Sequence, residues 1–402
     1  MTTTSFLEDA QALFSPQALK DPYPLYARAR RHGAVLHVPE WGNAIVLGHA
    51  EASALLKDHR VSAVRGVAPP GMQDSAAYAL LRSMMLFHDG ASHARLRGLA
   101  TQAFTPRAIA ETRAFVEAAV DDLLDEAARR GDFDVVRDLA VPLPVAVIVE
   151  MLGLPGGDRE RFKAWSESIA ALLDGSTVSP ETLPGIEADA REMRAYFRDV
   201  ADELRANPRP GLLGALALAE AQGDRLSNDE LLSNAVLLLA AGHETTTNLI
   251  SGGVLALAQH PREWERLVQD EGVTVNAVEE LLRFVNPVQG TGRVLVQDAE
   301  VGGVHLTAGT FLTVMTAAAN RDPRRFERPD ALDLTRESAK AHLAFAVGPH
   351  YCLGASLARL EGQVVFRRLA DRFPRLSVPE QPLSYRHNYV LRGLTGLRAT
   401  LH

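Results

Sequence analysis

The chain has 402 residues, 47% of them hydrophobic, a formal charge of −8 and one cysteine, Cys352. That content supports a sizeable core and excludes a disordered chain, while the acidic balance argues against nucleic acid as a partner and leaves room for a local basic patch. A lone thiol cannot close an internal disulfide or build a zinc knot, so Cys352 is either packing or a single-point ligand or nucleophile.

Met1 to Ala10 has neither a basic start nor an apolar run, so no signal peptide or membrane anchor is expected. The most apolar window, Ala235 to Ala241, runs straight into His243 and Glu244 and is too short to span a bilayer. A short helix should follow Asp21-Pro22 and reach Arg31, with a hairpin from Val35–Val38 and Ala44–Leu47 and a helix from about Ala50 to Asp58. From Arg60 to His88 the signal is poor: Gly66, Pro69, Pro70 and Gly71 come first, then the apolar Met84-Met85-Leu86-Phe87. Loops of that length are usually functional.

Ser92 to Gln102 reads as a helix with His93 and Arg97 four apart on one face, which by itself describes a solvated cationic stripe. Further helices are expected over Pro106–Arg130, ended by Gly131, over Val145–Leu152, and as a pair over Asp158–Leu173 and Glu187–Leu204. Ser227 and Glu230 form a capping box, and the helix they start need not stop before His260-Pro261. At 1.5 Å per residue it would be about 48 Å long and cross the molecule. Its middle, Gly242-His243-Glu244-Thr245-Thr246-Thr247, breaks helix preference, as functional sites do, although back-bonding Thr hydroxyls would also explain it.

Glu280 and Arg283 are three apart on a helix ending before Asn286-Pro287, a spacing that alone suggests a plain surface pair. Short strands follow at Arg293–Val296, Val301–His305 and Thr310–Val314, with Gly302-Gly303 and Ala308-Gly309 as turns. Beyond Cys352, the residues Leu353, Leu357, Leu360, Val364 and Val365 recur at helical spacing and place the thiol on the first turn of an amphipathic helix, where the N-terminal dipole favours thiolate. Gly348 and Gly354 bracket it and remove side chains where a flat ligand needs close approach.

The stretch Phe345-Ala346-Val347-Gly348-Pro349-His350-Tyr351-Cys352-Leu353-Gly354 resembles the haem-binding signature of the cytochromes P450. Ala346 departs from it, standing where the family usually has glycine or a small polar residue. The resemblance runs from the N-terminal region to the last helix and implies a single domain over 1–402, mainly α with a small β region. It implies haem b on one axial Cys352 thiolate, within a signature formed by Phe345, Gly348 and Gly354. It places His93, Arg97, Arg293 and His350 on the haem propionates, and Glu280 with Arg283 and a third arginine, Arg336, in a buried structural triad. Thr245 and Glu244 fall on the alcohol and acid positions of the oxygen-activation motif, and the loop ending at His88 roofs the substrate pocket under a movable lid of paired helices.

The activity so implied is a haem-thiolate monooxygenase, monomeric and cytoplasmic, that uses O2 and takes electrons from a ferredoxin served by an NAD(P)H-dependent reductase. Expected pocket walls are Leu86, Phe87, Leu237, Leu238, Ala241, Val288, Gln289, Leu391 and Leu394, all equally readable as core. Their apolar character suits a terpenoid, polyketide or fatty-acyl skeleton. A peroxide-dependent peroxygenase is disfavoured by Thr245, and a recruitment module without haem by Cys352.

Overall fold

A computed structural model describes residues 3–64, 74–155, 157, 159–175, 178–209, 211–221 and 226–402. The loop residues Gly66, Pro69, Pro70 and Gly71, and the helix start expected at Asp158, lie outside them. The architecture is mainly helical with a small sheet region. Among the described residues no helix is long and apolar enough to cross a membrane.

The central helix, Asn228–Gln259, is 32 residues long. Ser227 Oγ accepts from the Glu230 N–H and Glu230 Oε2 accepts from the Ser227 N–H, which satisfies donors the first turn cannot use itself. It packs against helices Pro142–Leu152, Arg159–Asp174, Thr274–Val285 and Ala355–Arg372. Being apolar nearly all round, it is stable only when so surrounded. The paired helices are Arg159–Asp174 and Leu183–Ala206, joined through Phe162, Trp165, Tyr196 and Phe197, with the Arg161 guanidinium 5.0 Å from the Trp165 ring.

Five strands form the main sheet in the order Val35–Val38, Asn43–Val46, Phe311–Val314, Thr291–Leu295, Val61–Ser62. The Asn43–Val46 and Phe311–Val314 pair is parallel and the rest antiparallel, and Arg293 sits opposite Leu312.

Two expectations change, and two helices are new. The stretch Arg60 to His88 is not one loop, because Ala76–Ser83 is a helix whose N-cap Ser75 accepts from the Tyr78 N–H. Val301–His305 is not one strand: Ala299–Val301 and Val304–Leu306 pair antiparallel about Gly302 and Gly303, at φ 57° and 78°, as a two-glycine turn permits. Helices Leu212–Ala221 and Pro261–Gln269 had no expectation at all.

The segment leading to the cysteine has little regular structure and is held instead by charge. Glu280 and Arg283 are fully buried, with Arg283 Nε and Nη2 each 2.7 Å from a Glu280 oxygen. Arg336 Nε lies 3.0 and 3.1 Å from the same two oxygens. The remaining guanidinium N–H groups donate to the carbonyls of Asn320, Pro329 and Ala331, tying an irregular backbone to one carboxylate. Beside it, Glu279 accepts from Arg359 (2.6 Å) and pairs with His342 (3.1 Å). Burial would raise the Glu279 carboxyl, but these partners carry it down to about 2. In the signature loop Ala346 adopts φ 55°, a left-handed conformation that L residues resist.

Replacing Arg283 by Met strands Glu280 in the core with one cation, and the unfolding free energy in urea should fall by roughly 3–5 kcal/mol. A loss below about 1 kcal/mol would mean the triad is dispensable. Ala346→Gly relieves the loop and should gain up to about 1 kcal/mol, checked by the same titration. Destabilisation by that change would contradict the strain.

Candidate functional site

One cavity collects most of the singled-out residues. Its wall includes Cys352, Phe345, Gly354 and His350 from the signature loop, His93 and Arg97 from helix Gly90–Thr101, Arg293 from the sheet, and Thr245 from the central helix. Leu86, Leu237, Leu238, Ala241, Val288 and Leu391 supply apolar surface.

Cys352 is not on the first turn of a helix. Helix Ala355–Arg372 has Gly354 as N-cap, so the thiol lies two residues before the cap, in a loop fixed by its N–H donating to the Phe345 carbonyl at 2.9 Å. The residue is open to the cavity although protein surrounds it closely. Burial pushes the thiol up, against the Gly354 N–H, Arg97 and Arg359, so the free protein holds it as thiol.

Gly348 does not line the cavity. It sits at φ 79°, and a Cβ there would stand 2.4 Å from the Leu56 carbonyl oxygen, so glycine is needed for chain packing and not for ligand approach. Gly354 does face the cavity.

Four basic groups crowd one rim. The His93 and His350 rings lie 4.2 Å apart between centroids, Arg97 Nη2 donates to the Tyr351 carbonyl at 2.7 Å, and Arg293 Nη1 donates to Thr291 Oγ1 at 2.8 Å. Burial, Arg293 and His93 carry His350 down to about 4, and burial and Arg97 lower His93. Asp89, 3.4 Å from His350 Nε2, is the acid that answers them. A group bringing two carboxylates would relieve this repulsion, and a flat apolar body would match the walls. The donors therefore fit a haem, with the thiol as the soft axial ligand.

Glu244 and Thr245 diverge, since neighbouring helix positions point about 100° apart. Thr245 Oγ1 donates to the Ala241 carbonyl at 2.9 Å and borders the cavity. Glu244 is outside the cavity wall, buried, with Oε1 2.6 Å from Arg386 Nη1. Burial raises its carboxyl despite Arg386. Arg386 in turn lies 3.7 Å from the half-exposed Glu167, which connects the acid to solvent. Gly242 borders the cavity within the continuous helix, and a Cβ there would stand 3.1 Å from Ile148, so glycine allows close helix packing.

Three expected wall residues turn away from the cavity. Phe87 packs into the core with Leu80, Leu81 and Met84, while Leu86 faces in. Gln289 follows Val288 on extended chain and so points to the other side, where Tyr26 Oη donates to it at 3.0 Å. Leu394 packs with Leu249 and Leu397 in the main core. Wall residues the sequence reading missed include Ile148, Leu173, Thr246, Leu249 and Glu361. Leu249 is one turn beyond Thr245 and Glu361 interrupts an apolar stripe, so both had a spacing signal, whereas Ile148 and Leu173 arrive only by packing.

The cytochrome P450 family model matches residues 188–391. The biotin biosynthesis cytochrome P450 of Bacillus subtilis (strain 168) is 36% identical over 400 residues, covering 97% of this chain and 99% of that protein. Vitamin D(3) 25-hydroxylase of Pseudonocardia autotrophica is 38% identical over 408 residues, covering 100% and 98%. The crystal structure of P450BioI in complex with hexadec-9Z-enoic acid ligated acyl carrier protein matches with TM-score 0.90 and 35% identity over 96% of this chain and 100% of that one. Likeness of that extent, in sequence and in fold, makes this chain a member of the cytochrome P450 family, oxidoreductases that hold haem through a cysteine thiolate.

Proposed function

We propose that the protein is a haem b monooxygenase that inserts one oxygen atom of O2 into a C–H or C=C bond of a small apolar substrate, drawing electrons from a ferredoxin. The observation that carries this reading is a lone thiol open to an apolar cavity that also bears four basic side chains and Thr245. Cys352 would hold the haem iron through its sulfur, since a bound metal ion deprotonates a coordinating thiol. His93, Arg97, Arg293 and His350 would take the two propionates. Bound haem supplies the dioxygen activation that no side chain offers.

The chain's own contribution is orientation, dryness and protons. Leu86, Leu237, Leu238, Ala241, Val288 and Leu391 exclude water and receive an apolar skeleton. The Thr245 hydroxyl spends its hydrogen on Ala241, which leaves its oxygen to accept from a water in the cavity and orient it. Glu244, with a carboxyl raised by burial and linked through Arg386 to Glu167 at the surface, serves as the proton store behind that helix turn.

A fatty-acyl, polyketide or terpenoid substrate suits the walls. The acyl carrier protein in the similar structure's title and the vitamin D hydroxylase among the relatives support a hydrophobic chain or ring system. Electrons would enter on the cysteine side, where Tyr351, one residue from the ligand, is 39% exposed.

Reconstituted with haem, ferredoxin and reductase, Thr245→Ala should keep its haem but lose product per NAD(P)H by roughly tenfold or more, the electrons appearing as hydrogen peroxide. Unchanged coupling would remove Thr245 from the proton path. Cys352→His should lose the thiolate band of the reduced carbon monoxide spectrum and all oxygenation. Hydroxylation that persists in that variant would defeat the thiolate reading.

A further inference from the structure

Glu361 lies in the wall of the same cavity, on helix Ala355–Arg372, at 1% exposure. Its Oε2 has no hydrogen-bond partner among the described residues, and its own helix surrounds it with Leu357, Leu360, Val364 and Val365. The charged groups on the packed elements are engaged elsewhere. Asp121 and Asp125 of helix Pro106–Arg130 pair with Arg372, and Arg368 also reaches Asp121. On helix Thr274–Val285, Glu279 pairs with Arg359 and His342, and Glu280 with Arg283. Glu263 of helix Pro261–Gln269 pairs with Arg266, Arg367 of the residue's own helix pairs with Asp371, and Glu244 of the central helix pairs with Arg386. His243 of the central helix is buried and held neutral, carried down to about 3 by burial, Arg386 and Lys163. Burial alone acts on Glu361 and raises its carboxyl to about 8.

A partnerless carboxyl in an apolar wall responds to whatever charge changes beside it, because little solvent screens the field. On the functional reading above, the cavity holds an iron whose charge changes by one unit on reduction. We propose that Glu361 is a redox-linked proton site, which takes up a proton when haem iron in this cavity gains an electron and releases it on reoxidation.

The step balances simply. A one-electron donor protein, or dithionite in vitro, supplies the electron that takes ferric iron to ferrous. Solvent supplies the proton, which forms an O–H bond on the Glu361 carboxylate; reoxidation breaks that bond and returns the proton. At pH values above its titration in the ferric protein, Glu361 thereby offsets the charge of the first electron, a positioning role in charge and not a contact with substrate.

The test is the ferric/ferrous midpoint potential of the haem-loaded protein, followed spectroelectrochemically on both sides of the Glu361 titration. The wild type should fall with rising pH in that window, toward the limit of about 59 mV per tenfold change in proton activity that one proton per electron sets. E361Q should be flat there. A wild-type midpoint independent of pH, or an E361Q slope equal to wild type, overturns the proposal. So does a slope abolished by His350→Gln while E361Q retains it, which would assign the proton to the basic rim. If E361Q does not retain haem, reduced-minus-oxidised infrared spectra of wild type and Glu361→Asp decide: a protonated-carboxyl band that shifts in the Asp variant supports the assignment, and no such band refutes it. The reduced carbon monoxide spectrum separates the two readings. A normal thiolate band without a pH slope sinks this inference alone, and a missing band sinks both.

Discussion

The Glu280 carboxylate, buried between Arg283 and Arg336, is the interaction on which the site's geometry rests. Between Asn320 and Gly354 the backbone has almost no ladder of its own to hold it. Two guanidinium groups fixed on one carboxylate, with their spare N–H groups on carbonyls of that segment, substitute for the missing secondary structure. Burying three charges is worthwhile only when every donor and oxygen is satisfied, and here they nearly all are. The adjacent Glu279 repeats the device on the far side of the loop, through His342 and through Arg359, whose guanidinium lies 4.6 Å from the Phe345 ring. Two neighbouring acids on one helix thus clamp both approaches to Cys352.

The cavity itself is electrostatically unsatisfied. Two histidines and two arginines share a rim with one nearby acid, and a thiol is held protonated by burial. The lowered histidines destabilise the free protein only on the acid side of their ordinary range, and a dianionic ligand at this rim would ease their protonation. The same cavity keeps Glu244 outside its wall and Glu361 within it, so two raised carboxyls flank the central helix with different partners: Arg386 for the first, none for the second.

Much of this was legible before any coordinates. The capping box at Ser227 and the arrest at Pro261 are local rules, and they located the central helix to within a residue or two, whereas helical spacing beyond Cys352 placed the thiol on a helix that begins only at Ala355. Local rules failed where the answer depended on which way a side chain turned. Leu86 and Phe87 are adjacent and both apolar, and the candidates Leu391 and Leu394 are three apart and both apolar, yet one of each pair faces the cavity and the other the core. Glu244 and Thr245 carry one motif but address opposite surroundings, and Gly348 is required by Leu56, nearly three hundred positions away in sequence.

Sequence by itself determined the family, the mainly helical class and the pairing of Glu280 with Arg283, because each depends on residue type at short spacing. Only the tertiary structure decided which apolar residues line the cavity, that Glu244 is answered by Arg386, and that Glu361 Oε2 has no hydrogen-bond partner among the described residues. Those depend on desolvation and on partners brought from distant elements, quantities that no window of the chain contains.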